Sequence, residues 1–446
     1  MNIISIVIYN FIIYFGFIIY LPVLVYKMAR TGKYRHSFWR RLGFGPAPKN
    51  ISKSDKTIWL HAVSVGETLA TLEFQKALKE KFPGYKLLFT VTTETGYKIA
   101  CEKCKCVDEI MYFPMDFNFS VNKFLSNFNV RLFIMTETEV WPNLLRILKK
   151  RNIPAAIING RISDRSLKNY MRFNFIFRNV FSLIDGCFMQ SDVDAARIIE
   201  LGAQKSNTFN TGNLKYDEML KYLGYNIDEI YEKFGYSKSD KIFVAGSIHP
   251  GEYKDVVDAA VTLKKMKPDF KIIIAPRKFD QLEPLFVYLR EKCINYIKRS
   301  DIIKKAEAEH SADNKIDYVV PEFMILDTIG ELVKTYAMAQ VVFVGGSLIE
   351  VGGHNILEPA VFKKPVIFGR FMHNFREMSE SFVKSGAGII VNDKNELEAA
   401  IIKYSDDSDG GYIKSANAAY MEVTGRTGAI SKNILRLQSL INSDNM

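Results

Sequence analysis

Hydrophobic and polar positions divide the chain into an apolar start and two long alternating series. Ile3 to Tyr26 is an apolar run of 24 residues, broken by Ser5, Asn10 and Pro22. About 20 residues suffice to cross a bilayer as a helix, so residues 1–26 read as a membrane anchor. It either spans or lies obliquely as a monotopic helix. Pro22 and the five tyrosines and phenylalanines between Tyr9 and Phe17 suit an interface. A signal peptide would need a basic leading region and a small-residue cleavage site, and neither is present.

From about residue 57 the rhythm changes. Short apolar runs at Thr57–Val63, Lys86–Thr92, Glu109–Phe113, Arg131–Met135, Ala155–Ile158 and Gly186–Met189 predict strands. Amphipathic stretches between them, such as Thr68–Phe82 and Leu167–Leu183, predict helices. This is the pattern of βαβ units and a parallel sheet. Residues 214–240 are polar and helical in pattern and read as a linker. A second series follows, with strands at Ile242–Ala245, Lys271–Ala275, Tyr318–Val320, Val341–Val344, Pro365–Phe368 and Gly388–Val391. Its helices include Gly251–Met266, Ile329–Ala339, Asn374–Ser385 and Glu396–Tyr404. Two last helices, Tyr412–Val423 and Ala429–Ile441, complete the chain. The expectation is two Rossmann-like, doubly wound α/β domains facing a cleft, over 27–213 and 241–425, with a C-terminal helix in 426–446. Ligands bind beyond the carboxyl ends of strands in such sheets, so residues just after each strand carry the functional information.

The first strand runs into Ser64-Val65-Gly66-Glu67. Glu67 falls in the first helical turn, where the helix N-terminus favours a carboxylate. It is a candidate general base, and ordinary capping is the alternative. Glu137 and Glu139 follow the fourth strand, and Arg161 follows the fifth. They suit contacts to sugar hydroxyls or an anion, or else a salt-bridged loop. In the second series Ser247 and His249 follow the first strand and open a helix, an arrangement that offers N–H groups to an anion. Arg277 and Lys278 follow the next strand, with a guanidinium suited to phosphate. Gly346 and Ser347 follow a later one, where glycine permits close approach of a backbone to a phosphate. Then comes Gly353-His354-Asn355-Ile356-Leu357-Glu358, with His354 and Glu358 four apart on one expected helix face. Glu358 suits ribose hydroxyls, and a purely structural role is the alternative for His354. Neither G-x-G-x-x-G nor G-x4-G-K-[ST] occurs, which disfavours a dehydrogenase or P-loop ATPase.

Composition sharpens this picture in one respect. The chain has 446 residues, 48% hydrophobic and 24% charged, which excludes a disordered or disulfide-stapled protein. Its net charge of +11 would allow a nucleic-acid binder. However, residues 2–26 are uncharged, and residues 27–56 hold nine Lys and Arg against Asp55 alone. The charge is therefore a basic collar beside an apolar segment. It argues against nucleic acid and for an anionic membrane surface. By the positive-inside rule it puts the remaining chain on the cytoplasmic side. The five cysteines suit a reducing compartment. Cys101, Cys104 and Cys106 form C-x2-C-x-C with no second pair, so no metal site is expected.

The segments WLHAVSVGE (59–67), TETEVWPN (136–143), NGRISDRS (159–166), GNLKYD (212–217), AGSIHPGE (245–252) and GGSLIEVGGHNILEPA (345–360) occur in this order. Together they resemble the 3-deoxy-D-manno-octulosonic acid (Kdo) transferases of Gram-negative bacteria, glycosyltransferase family 30. The similarity covers about residues 30–430. The resemblance implies a GT-B fold, an N-terminal acceptor domain, a C-terminal CMP-Kdo domain and an inner-membrane anchor. It implies inverting transfer of Kdo from CMP-Kdo to the lipid A precursor lipid IVA in lipopolysaccharide biosynthesis, with no bound metal and no cofactor. By position it makes Glu67 the catalytic base and Glu137, Glu139 and Arg161 acceptor-side or supporting residues. It assigns Ser247, His249, Arg277, Lys278, Gly346, Ser347, Asn355 and Glu358 to CMP. The alternatives are another GT-B enzyme, a UDP-sugar transferase or UDP-sugar 2-epimerase, or a non-catalytic membrane scaffold.

Overall fold

The computed structural model describes residues 3–32, 34–309, 322–408 and 410–442. They form two compact units. The first runs to Glu218 and regains the chain from Thr427; the second is Met219–Arg426.

The first unit is built on seven parallel strands: β1 Lys56–Ala62, β2 Lys86–Val91, β3 Glu109–Tyr112, β4 Asn129–Thr136, β5 Ala155–Gly160, β6 Gly186–Met189 and β7 Thr208–Asn210. Their order is β3-β2-β1-β4-β5-β6-β7. The central strands are buried on both faces, as a parallel sheet sandwiched by helices requires. Trp59 on β1 is fully buried, with its indole N–H donating to Thr90 Oγ1 at 2.8 Å.

The second unit repeats the plan with β8 Lys241–Ile248, β9 Phe270–Pro276, β10 Ile297–Lys298, β11 Phe323–Ile325, β12 Val341–Val344, β13 Val366–Gly369 and β14 Gly388–Val391. The order is β10-β11-β9-β8-β12-β13-β14, all parallel. Strand order therefore reverses between β1 and β4 in one sheet and between β8 and β12 in the other. These are the topological switch points, where doubly wound sheets bind ligands.

Several boundaries differ from the sequence reading. The strands β7, β10 and β11 have two or three residues, too few to show a period. The strand expected at Tyr318–Val320 lies outside the described residues. Residues 214–240 hold the helices Leu214–Met219 and Ile227–Phe234, and the division between units falls inside the first. The last helix, Ala429–Asn442, returns to the first unit, burying Ala429, Leu437 and Ile441 beside Ile58 and Leu60. Asp217 holds its start by accepting the amides of Gly428 and Ile430.

The N-terminal helix is Ile3–Thr31, with Pro22 inside it. Among the described residues, one helix is long and apolar enough to cross a membrane, at Ile4–Thr31 with mean hydropathy 2.2. One stripe of it packs on the first unit, against Phe38, Leu42 and Phe117.

Candidate functional site

At the end of β1, Ser64 caps the helix Val65–Ala70. Its hydroxyl accepts the Glu67 amide at 3.3 Å and donates to Glu67 Oε1 at 2.8 Å. Glu67 Oε2 accepts the Val63 amide at 2.7 Å. Ser64 thus caps the helix, while the Glu67 carboxylate reaches back to the Ser64 hydroxyl and to the amide of the residue before the cap. Capping and chemistry are compatible here, because each carboxylate oxygen has a second lone pair. The capping bonds also fix the rotamer, which a positioned base requires.

β4 neighbours β1 across the switch point, and Glu137 follows its last residue. Glu137 has φ +59°, a left-handed conformation that a glutamate adopts at a cost of about 1–3 kcal/mol. Its amide donates to Ile158 O at 2.9 Å, which ties this turn to β5. Arg161 joins the same loop through its backbone. Thr138 Oγ1 donates to the Arg161 carbonyl at 2.5 Å, and the Arg161 amide donates to Thr138 Oγ1 at 3.1 Å.

The three glutamates share one electrostatic neighbourhood. Burial raises the proton affinity of Glu137, and the Glu67 charge adds to it, while Lys215 and Arg161 oppose it. Burial likewise raises that of Glu139, with Glu67 and Glu137 reinforcing it. Lys215 has its pKa lowered by burial, with Glu137 acting against the shift. Lys215 was not among the expected site residues. Its only sequence signal was its place in the GNLKYD segment, where Asn159 Oδ1 accepts the amide of Leu214 at 3.0 Å and fixes the turn.

In the second unit the switch point is organised by a residue that sequence reasoning passed over. Glu252 is fully buried. Its Oε2 accepts the amides of His249 at 2.9 Å and Gly346 at 2.7 Å, and its Oε1 those of Ser347 at 3.0 Å and Leu348 at 2.9 Å. The amides of Gly346 and Ser347, expected to face a phosphate, are thus directed at a carboxylate of the protein. The Ser347 hydroxyl is likewise engaged. It donates to Val344 O at 2.6 Å and accepts the Gly369 amide at 2.8 Å. Gly346 does need to be glycine: its φ is +66°, and a Cβ there would lie 2.8 Å from the His354 ring.

His249 Nε2 and His354 Nε2 are 2.9 Å apart, with the rings nearly parallel. One nitrogen must carry the proton and the other accept it. Burial lowers the His354 pKa to about 4, and Arg277 and His249 push the same way. Burial also lowers that of His249, with Lys278 and Arg277 contributing and Glu252 opposing. Both imidazoles are therefore neutral at pH 7, beside the exposed Arg277 and Lys278. Ser247 sits where the β8–β9 register breaks, with φ +56°.

The expected shared helix face of His354 and Glu358 is corrected. The helix there is only Leu357–Ala360, and His354 lies in the loop before it, paired with His249. Asn355 donates to Glu358 Oε1 at 3.3 Å and accepts the Leu357 amide at 3.1 Å. Among the described residues no group of three or more His, Cys, Asp or Glu is arranged to hold a metal ion.

Paired doubly wound sheets with polar residues at both switch points define the GT-B-like α/β class. Among solved structures, a UDP-GlcNAc 2-epimerase from Neisseria meningitidis matches with TM-score 0.60 at 13% identity, over 86% of this chain and all of that one. At that identity the likeness shows the fold alone. Residues 36–218 match the family model of 3-deoxy-D-manno-octulosonic-acid transferase (kdotransferase). A 3-deoxy-D-manno-octulosonic acid transferase from Haemophilus influenzae is 29% identical over 90% of this chain and 91% of its own length. The enzyme of that name from Chlamydophila psittaci is 29% identical over 83% and 82%. A bifunctional glycosyltransferase/methyltransferase from Fusobacterium nucleatum is 31% identical over 86% of this chain, which spans 58% of that longer protein. Residues 36–218 thus match the Kdo transferase family, and most of the chain is similar to its members.

Proposed function

We propose that the protein transfers Kdo from CMP-Kdo to the lipid A precursor lipid IVA, with inversion at the anomeric carbon and without a metal. The observation that carries this reading is the placement of Glu67. A base must be held rigidly, and the capping bonds from Val63 and Ser64 hold its carboxylate at the switch-point end of β1. Glu67 takes the proton from a glucosamine hydroxyl of the acceptor as that oxygen attacks the ketosidic carbon. The bond from that carbon to the CMP phosphate oxygen breaks, and its electron pair leaves with CMP.

The charge that develops on CMP falls to Arg277 and Lys278, with a neutral His249–His354 pair donating one N–H. Gly346 and Ser347 then shape the donor site, their amides being held by Glu252. Ser247 lies at the same strand end, and Asn355 and Glu358 reach the ribose. Glu137, Glu139 and Arg161 orient the acceptor. The N-terminal helix and the basic residues 27–56 hold the enzyme on the cytoplasmic face of the inner membrane, beside an anionic lipid substrate.

Incubation with CMP-Kdo and lipid IVA, followed by mass spectrometry of the lipid, tests the reading. Addition of one or more Kdo units is expected. An unmodified lipid alongside turnover of a UDP-sugar would sink it.

A further inference from the structure

The N-terminal helix is bound to the first unit from Ser5 to Met28. Near its start, Ser5 Oγ donates to Phe175 O at 3.0 Å and Tyr9 Oη donates to Asp116 Oδ2 at 2.8 Å. Asn143 Nδ2 donates to Asn10 Oδ1 at 2.8 Å. Asp116 is buried and also accepts the amides of Asn143 and Leu144, so the helix meets a fixed polar site. Mid-helix, Tyr14 stacks on Phe117 at 4.9 Å and Phe17 meets the same ring edge-on at 5.1 Å. Near its end, Leu24 and Met28 pack with Phe38 and Leu42. Residues 5, 9, 13, 17, 21, 24 and 28 recur at helical spacing, so the docked stripe is a single face. At ~1.5 Å per residue it is about 35 Å long, more than the ~30 Å hydrocarbon core of a bilayer.

The opposite face is apolar and exposed. Val7, Phe11, Phe15, Ile18, Ile19 and Tyr26 are each more than half exposed. A spanning orientation would carry the docked surface into the hydrocarbon too. That surface contains Asp116 and Asn143, and it adjoins Arg146, which donates to Asn118. Charged and hydrogen-bonding groups of a folded domain are costly at that depth.

We infer that this helix lies in the plane of the membrane, its outer face in the lipid and its inner stripe fixed to the first unit, so that both its ends stay on one side of the bilayer. The inference rests on the membrane reading above and replaces a crossing helix by a monotopic one. The fringe fits a bilayer containing anionic lipid. Lys27 and Arg30 flank the apolar face at one end. Near Ser5, the rings of Phe173 and Phe175 are exposed just after Arg172, which lines a surface pocket with Arg165. Apolar side chains bordered by cations match acyl chains below phosphate headgroups.

The test uses the full chain with an epitope tag at the N-terminus in one version and at the C-terminus in another. Each is expressed in a Gram-negative host and exposed to protease in sealed spheroplasts and in inverted membrane vesicles. The chain is expected in the membrane fraction, with both tags protected in spheroplasts and both lost in inverted vesicles. Tags on opposite sides would overturn the in-plane orientation and leave the membrane reading standing. Recovery in the soluble fraction, as a monomer or as a dimer covering the apolar face, would overturn both.

Discussion

Glu252 Oε2 accepts the backbone N–H of Gly346 at 2.7 Å, joining the carboxyl ends of β8 and β12 across 94 residues of chain. The same carboxylate takes three further amides and is fully buried. Glu252→Gln replaces one acceptor oxygen by a donor that faces N–H groups. A buried group left unsatisfied in this way costs about 3 kcal/mol or more. The urea midpoint of the second unit should fall accordingly, and CMP-Kdo affinity should drop at least tenfold. An unchanged midpoint would show that the four amides do not depend on this carboxylate.

The His249–His354 pair predicts a pH-dependent stability. The His354 pKa is about 4 in the folded protein against ~6.5 unfolded. A depressed folded pKa means the unfolded chain binds the proton more readily. The full stability is present above pH ~6.5 and is lost as pH falls towards 4, by about 3 kcal/mol at most. His354→Gln should flatten that slope in denaturation midpoints measured from pH 7.5 to 4. A slope identical to the parent protein would place its origin elsewhere.

Glu137 and Glu139 predict a trade between stability and activity. Their folded pKa values are raised, so ionising them is harder in the folded state than in the unfolded chain. No penalty exists below the unfolded pKa of ~4.3. It sets in as pH rises above that value and reaches its full size above the folded pKa. Glu137→Gln should therefore be neutral or stabilising by about 1 kcal/mol at pH 7.5, while transfer falls at least tenfold. A variant that is less stable yet equally active would contradict the assignment.

Removing residues 1–31 uncovers Phe38, Leu42 and Phe117 and leaves Asp116 without the Tyr9 hydroxyl. The truncated chain should keep activity on a detergent-dispersed acceptor but unfold several degrees lower in a thermal scan. It should also aggregate when detergent is withdrawn. An unchanged melting temperature would mean that the docked stripe contributes little.

The fold was legible because parallel strands buried on both faces stand out as short apolar runs, and helices separate them. Glu67 was legible as a strand-end carboxylate, although its pattern alone favoured capping and only the family resemblance made it a base; its carboxylate does bond to the helix cap. Glu252 was not legible. It sits three residues after His249 and looks like a local cap, and three of its four amide partners lie far along the chain. The docking of the N-terminal helix was also hidden, since a nearly uniform apolar run shows no stripe. Ser5 and Asn10, which interrupt that run, mark the docked face together with Tyr9.

The most direct test of the central claim is a paired measurement on Glu67→Gln: turnover with CMP-Kdo and lipid IVA, and CMP-Kdo binding by calorimetry. The amide can still accept from Val63 and meet the Ser64 hydroxyl, so the fold should persist. A general base contributes about 10²–10⁴-fold. Turnover should fall by that factor while CMP-Kdo affinity stays within about threefold of the parent. Turnover preserved, or affinity lost with the fold intact, would contradict a base role for Glu67.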